Sequence, residues 1–316
     1  MKILYIIFVL DIFFSFLESV TSFRLPISPF SQYVTFFGRE NSLNDIAFNG
    51  VITYPTGFHW NPNNLATTLA IIFPFFLIIK KHISKYMVLS VIFLIIVSTS
   101  SRANMISVVI IFLIYLIWYK KRLFLKLCPL FLLLLILINF QPLKVDNIYI
   151  NSFYDSINSI KEDFNNSNEI NSISVRKQLI EDAIAIFIET KGIGIGGGGT
   201  KAIDGSLGTG AALHNFWLEI LVESGIVFFL IFVFWYLTVM IKLYIVAKNS
   251  KNTLLINYST SCLLSLIGFI FGAVSVSSAI YLLPMWILFG FSIATINNFE
   301  REKKERLYQY ENISTN

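Results

Sequence analysis

The run FWLEILVESGIVFFLIFVFWYLTV, Phe216 to Val239, exceeds the roughly 20 mostly apolar residues that a bilayer-spanning helix needs. It is too long for a strand, and its acids, Glu219 and Glu223, stand at its beginning. Inside hydrocarbon every backbone N–H and C=O must be satisfied within the segment, so the run is read as a transmembrane α-helix. Runs of helical length recur at Ile3 to Leu17, Leu65 to Ile79, Tyr86 to Val97, Met105 to Tyr119, Leu123 to Ile138, Leu254 to Val274 and Ala279 to Ile296. Composition agrees: 55% of the residues are hydrophobic and 14% charged, against roughly 25% charged in a soluble domain.

Asp11 interrupts the first run, and no small-residue cleavage site follows, so it is read as a span and not as a removable signal peptide. Cys128 and Cys262 lie in apolar segments and offer neither a disulfide framework nor metal spacing. The net charge of +5 does not require nucleic acid, because the basic residues cluster between spans. The clusters are Lys80, Lys81, Lys85; Lys120, Lys121, Arg122, Lys126; Lys242, Lys248, Lys251; and Arg301, Lys303, Lys304, Arg306. Short connectors rich in Lys and Arg stay in the cytoplasm. The expected architecture is an all-α, polytopic bundle of about eight spans with both termini cytoplasmic. Residues 1–299 form a single transmembrane domain, with outer loops near 18–60 and 141–213, and a charged cytoplasmic tail occupies 300–316.

The long outer loop divides in two. Through Asn171 it is an Asn/Ser/Asp-rich surface. Ser174 then caps an expected helix from Val175 to Thr190, with Val175, Leu179, Ala183, Ile186 and Phe187 on one stripe. Such a helix either lies on the membrane surface or docks against the bundle. The glycine run Gly194, Gly196, Gly197, Gly198, Gly199 follows. It contains a formal G-x-G-x-x-G, but without the strand before and helix after that dinucleotide binding needs. It is read as a flexible connector, with a backbone nest or hinge beside an anion as the alternative.

Charged residues at one face carry the chemistry. Arg102 stands in the tight turn Ser98-Thr-Ser-Ser-Arg102-Ala-Asn104, where a guanidinium needs a partner, an interface or a polar cavity, and its planar fork suits phosphate oxygens. Arg176 opens the amphipathic helix. His214 precedes the span that holds Glu219 and Glu223 at i, i+4, and a neutral imidazole there suits a general base. His59 and His82 are weaker candidates. Asn63 or Asn64 is the expected cap of the helix beyond Pro62. No cluster has zinc or calcium spacing.

Three separated segments, Gly57-Phe-His-Trp-Asn61-Pro-Asn63-Asn64-Leu-Ala66, Ser100-Ser-Arg102-Ala103 and His214-Asn215 with Leu218, Glu219, Glu223 and Gly225, resemble the O-antigen polymerase and O-antigen ligase family. Arg176, a helix and Gly192-Ile-Gly194-Ile-Gly196 are similar to that family's outer-loop pattern. The resemblance implies a GT-C-type glycosyltransferase of the bacterial plasma membrane that needs no cofactor or metal. Its donor is a glycan on undecaprenyl diphosphate and its acceptor a glycan hydroxyl, with a chain-length regulator and a flippase as partners. Carried onto this sequence, it assigns diphosphate binding to Arg102 and Arg176, the general base to His214, and orientation of that histidine to Glu223. Arg24, Asn61, Asn64 and Asn215 are the substrate-binding candidates. The chain departs from the family in placing one span before the asparagine-rich motif, as a compact or truncated form would. The expected activity is polymerisation of lipid-linked repeat units into a surface polysaccharide. The alternatives are ligation of finished glycan to a lipid or protein acceptor, a transporter or flippase of lipid-linked sugars, and an inactive paralogue.

Overall fold

The computed structural model describes residues 2–21, 23–31, 33, 54–79, 84–126, 172–202, 213–276 and 282–314. Most of the expected span Leu123 to Ile138 and the first half of the long loop lie outside these residues. The described helices are α1 (Lys2–Val20), α2 (Pro62–Ile79), α3 (Ser84–Ser98), α4 (Arg102–Tyr119), α5 (Ser172–Glu189), α6 (Gly199–Ala202), α7 (Phe216–Asn249), α8 (Thr253–Gly272) and α9 (Leu283–Ser314), with a short turn of helix at 121–126. The described residues contain no strand.

Among the described residues, four segments are long and apolar enough to cross a membrane: Ile3–Val20, Arg102–Tyr119, Phe216–Asn249 and Thr253–Ser275. Pro62–Ile78 and Lys85–Ser98 are shorter apolar helices. The charged segment after residue 300 continues α9, and its Arg301–Glu305 and Glu302–Arg306 pairs have the i, i+4 spacing that supports an exposed helix.

The bundle is organised around α8, which packs on α2, α4, α7 and α9. Apolar helices gain little by leaving lipid for one another, so close packing and hydrogen bonds decide where they meet. Ser261, Ser265, Gly268 and Gly272 give α8 a buried small-residue stripe. The Ser265 hydroxyl donates to the Ile71 carbonyl at 2.6 Å, and Ser261 to that of Pro74 at 3.4 Å. The second acceptor is the carbonyl of Pro74 itself, the proline that interrupts the hydrogen-bond ladder of α2, and the first lies three residues before it. Ser107 of α4 donates to the Gly268 carbonyl at 2.8 Å.

One turn further along, the buried Asn104 amide nitrogen lies 3.0 Å from the Thr67 hydroxyl oxygen and 2.9 Å from those of Ser101 and Ser275. The start of α2, the start of α4 and the end of α8 thus meet at one end of the bundle. Trp217, whose indole donates to the Ile270 carbonyl at 3.1 Å, brings the start of α7 to the same end.

A Cβ on Gly272 would stand 2.4 Å from Asn104 Oδ1, whereas one on Gly290 of α9 meets nothing within 4 Å among the described residues. Gly272→Ala is therefore expected to lower stability by about 1–3 kcal/mol. Gly290→Ala is expected to gain about 0.5–1 kcal/mol from helix propensity. Thermal unfolding of the two variants in detergent checks the opposite signs.

Candidate functional site

The loop that follows α1 is seated by acids that α1 carries inside its apolar sequence. Asp11, Ser15 and Glu18 follow i, i+4, i+7 spacing, which puts them on one helical face, and all three are buried. Glu18 accepts from the Thr56 and Gly57 amides through Oε2, at 2.7 and 2.8 Å, and from the Leu25 amide through Oε1. Asp11 accepts from the Phe58 amide and lies 3.2 Å from His59 Nε2. Gly57 has φ +53°, and a Cβ there would collide with Ser15 and Asp11, so the backbone approaches α1 more closely than any other residue permits.

Several candidates prove to organise this loop. Arg24 donates to the carbonyls of Glu18, Thr21 and Phe23 at the end of α1, where helix carbonyls lack intrahelical donors. Burial lowers its pKa and the nearby Glu18 opposes that shift. Asn61 is the cap of α2: its side chain accepts from the Asn63 amide at 2.8 Å and Pro62 takes the first helical position. This corrects the expectation that Asn63 or Asn64 is the cap. The Asn64 carbonyl accepts from Thr68, and the Asn215 side chain caps α7 by accepting from the Leu218 amide at 3.2 Å.

The catalytic candidates occupy two supports. Arg102 is the first residue of α4, two positions from the Asn104 hub. Arg176 and His214 belong to a second, smaller assembly. There α5 docks on the first part of α7 through Leu179, Ala183, Leu213 and Val222, with Ile186, Phe187, Ile195 and Leu218 around them. Leu179, Ala183, Ile186 and Phe187 of the apolar stripe of α5 thus pack against the start of α7 and its neighbours.

The glycine run is where the structure departs most from the sequence reading. α7 breaks at Gly225, whose φ of 79° and ψ of 169° leave the helical region. Such a break frees the carbonyls of Val222 and Glu223 and the amide of Ile226 from their intrahelical partners. The glycine segment satisfies all three: the Ile195 amide donates to Val222 O at 3.1 Å, Gly196 to Glu223 O at 2.9 Å, and Ile226 to Gly192 O at 2.9 Å. Cβ atoms on Gly194 or Gly225 would overlap the opposing backbone. The segment is a fitted strap, not a free connector. Glu223 accepts a 2.6 Å buried hydrogen bond from Thr200 on α6, while His214 Nδ1 is buried without a hydrogen-bond partner among the described residues. Glu223 therefore engages the strap and not, by a direct bond, the histidine.

Arg102, Arg176 and His214 nevertheless influence one another in sequence, Arg102 on Arg176 and Arg176 on His214. Arg176 is half-buried, and burial followed by repulsion from Arg102 lowers its pKa. Burial and then the Arg176 charge lower that of His214 below 6.5. His214 adopts φ +51°, a left-handed conformation costing on the order of 1–3 kcal/mol in a non-glycine residue. Two guanidinium groups and an imidazole held together against repulsion suit an oxyanion with several charges. The low pKa keeps the imidazole in its basic form. The described residues include no group of three or more His, Cys, Asp or Glu side chains placed to hold a metal ion.

Residues 86–233 match the family model described as O-antigen ligase. That segment contains Arg102, Arg176, the strap and His214, so the family resemblance read from the motifs holds across the site. No curated protein matches the chain in sequence.

In selectively labelled protein with its three histidines, NMR titration is expected to place His214 below 6.5. Arg176→Gln is expected to move it upward, because a repelling cation is removed. An unshifted His214 in that variant would show that the two groups do not interact.

Proposed function

We propose that the chain polymerises lipid-linked oligosaccharide repeat units into a surface polysaccharide at the outer face of the bacterial plasma membrane. The O-antigen ligase match implies a glycan-transferring enzyme in a general sense. The single observation that carries the finer reading is the convergence of Arg102, Arg176 and His214, read from the electrostatic coupling between neighbouring members. On this reading the bundle is GT-C-like, has eight spans and keeps both termini in the cytoplasm. Its support is the arrangement of charge: the basic residues at 120–126 follow the far end of α4, and Asn252 before α8 bonds Glu302 of α9 at 2.8 Å. Both lie opposite the candidate site.

The donor is a glycan joined through its anomeric carbon to a diphosphate on an undecaprenyl lipid. His214 accepts the proton of an acceptor hydroxyl as that oxygen bonds to the anomeric carbon. The bond from that carbon to the phosphate oxygen breaks, and the lipid diphosphate leaves with an added negative charge. Arg102 and Arg176 stabilise that charge, which is largest in the transition state and product. The depressed basicity of His214 keeps it ready to accept a proton near neutral pH, and the arriving diphosphate raises its proton affinity when transfer needs it.

Ligation is the second reading, favoured by the description of the matched family. It employs the same bond changes with a lipid or protein acceptor.

Arg102→Ala, Arg176→Ala and His214→Ala are each expected to lower transfer by about 10²–10³-fold with normal protein levels in the membrane. The assay incubates purified protein with lipid-linked repeat units and follows glycan length. Lengthening by the wild type and its loss in all three variants supports polymerisation. Wild-type chain lengths in the variants would remove the mechanism.

A further inference from the structure

Arg176 and His214 lie near one end of the α5–α7 pair, and the strap joins the other. The two helices therefore run side by side in the same direction, and α5 is a lever whose far end carries Arg176. From Glu189 back to Arg176 is about 20 Å of helix at 1.5 Å per residue. A tilt of about 10° at the strap consequently moves the guanidinium by about 3 Å, enough to break a phosphate contact.

Besides the packing along α5, its orientation is fixed by three backbone hydrogen bonds to the α7 break and the buried Thr200–Glu223 bond. Thr200 is 2% exposed and Glu223 6%. Neither is among the groups whose charge shifts His214.

We propose that Thr200 and Glu223 are positioning residues: their hydrogen bond latches the glycine strap onto the Gly225 break and thereby sets Arg176 against His214. Glu223 acts here as an acceptor for the strap, and its effect on transfer runs through Arg176. The structural half of this inference stands on contacts alone, and its consequence for turnover rests on the transfer reading above.

The test compares Thr200→Val, which keeps shape and removes the donor, with Thr200→Ser, which keeps it. His214 is titrated by NMR without substrate, and glycan transfer is followed at varied donor concentration. The valine variant is expected to show a His214 pKa moved up toward 6.5 and at least tenfold lower transfer at limiting donor. The serine variant is expected to retain both wild-type values. Glu223→Gln, whose amide oxygen still accepts from Thr200, is expected to resemble wild type more than Glu223→Ala does. A wild-type His214 titration in correctly folded Thr200→Val overturns the latch, as does Glu223→Gln behaving like Glu223→Ala. If the titration responds as expected while no chain, wild type included, transfers glycan, the latch stands and the assigned reaction fails.

Discussion

A carboxamide buried among apolar helices fixes the geometry on which the rest of the molecule depends. Asn104 is fully buried, and an amide left without partners in such surroundings costs on the order of 1–3 kcal/mol. Its nitrogen is met by hydroxyls of Thr67, Ser101 and Ser275. Ser275 itself donates to the Gly272 carbonyl at 2.9 Å, which leaves its oxygen free to accept. Three chain segments separated widely in sequence are thereby brought to one level at one end of the bundle. Gly272 is small because Asn104 lies against it. Arg102, two residues before the amide, inherits a fixed origin from a contact that contains no charge.

The second support works through the backbone. A helix that breaks within an apolar environment exposes polar groups that lipid cannot satisfy. At Gly225 those groups are taken up by a segment whose own glycines permit the close approach. The break and the strap therefore require each other. Together with the apolar contacts of α5, they hold Arg176 beside a neutral His214 and near Arg102, whose charge repels it. The energy that keeps these charges together comes from packing and backbone pairing elsewhere. A cationic site maintained in this way is pre-organised for an anion.

Much of the fold was legible because apolar periodicity and length report directly on membrane helices. The stripe Leu179, Ala183, Ile186, Phe187 foretold a covered face on α5. What escaped depended on contacts distant in sequence. Gly225 follows Glu223 and Ser224 inside a run otherwise apolar enough to read as one continuous helix, so the break was not distinguished from an ordinary polar entry to a span. The glycine run looked like a connector because its hydrogen-bond partners stand about 30 residues later. Glu223 lay at a suggestive distance from His214 along the chain, yet the short turn of α6 offered it Thr200. Asp11 looked like an interruption of a span and Glu18 like the start of a loop, whereas their carboxylates receive the amides of Leu25, Thr56, Gly57 and Phe58. A glycine after Glu223 and a hydroxyl after a glycine run were the available signals for the latch.

The convergence of Arg102, Arg176 and His214 on one anion is most directly tested by titrating inorganic diphosphate into the purified protein while following the His214 NMR signal. Binding is expected to raise the His214 pKa, since a nearby anion favours the protonated ring, and Arg102→Gln or Arg176→Gln is expected to weaken that response at least tenfold in diphosphate concentration. A His214 signal that ignores diphosphate, or responds equally in the wild type and both variants, would contradict a shared anion site.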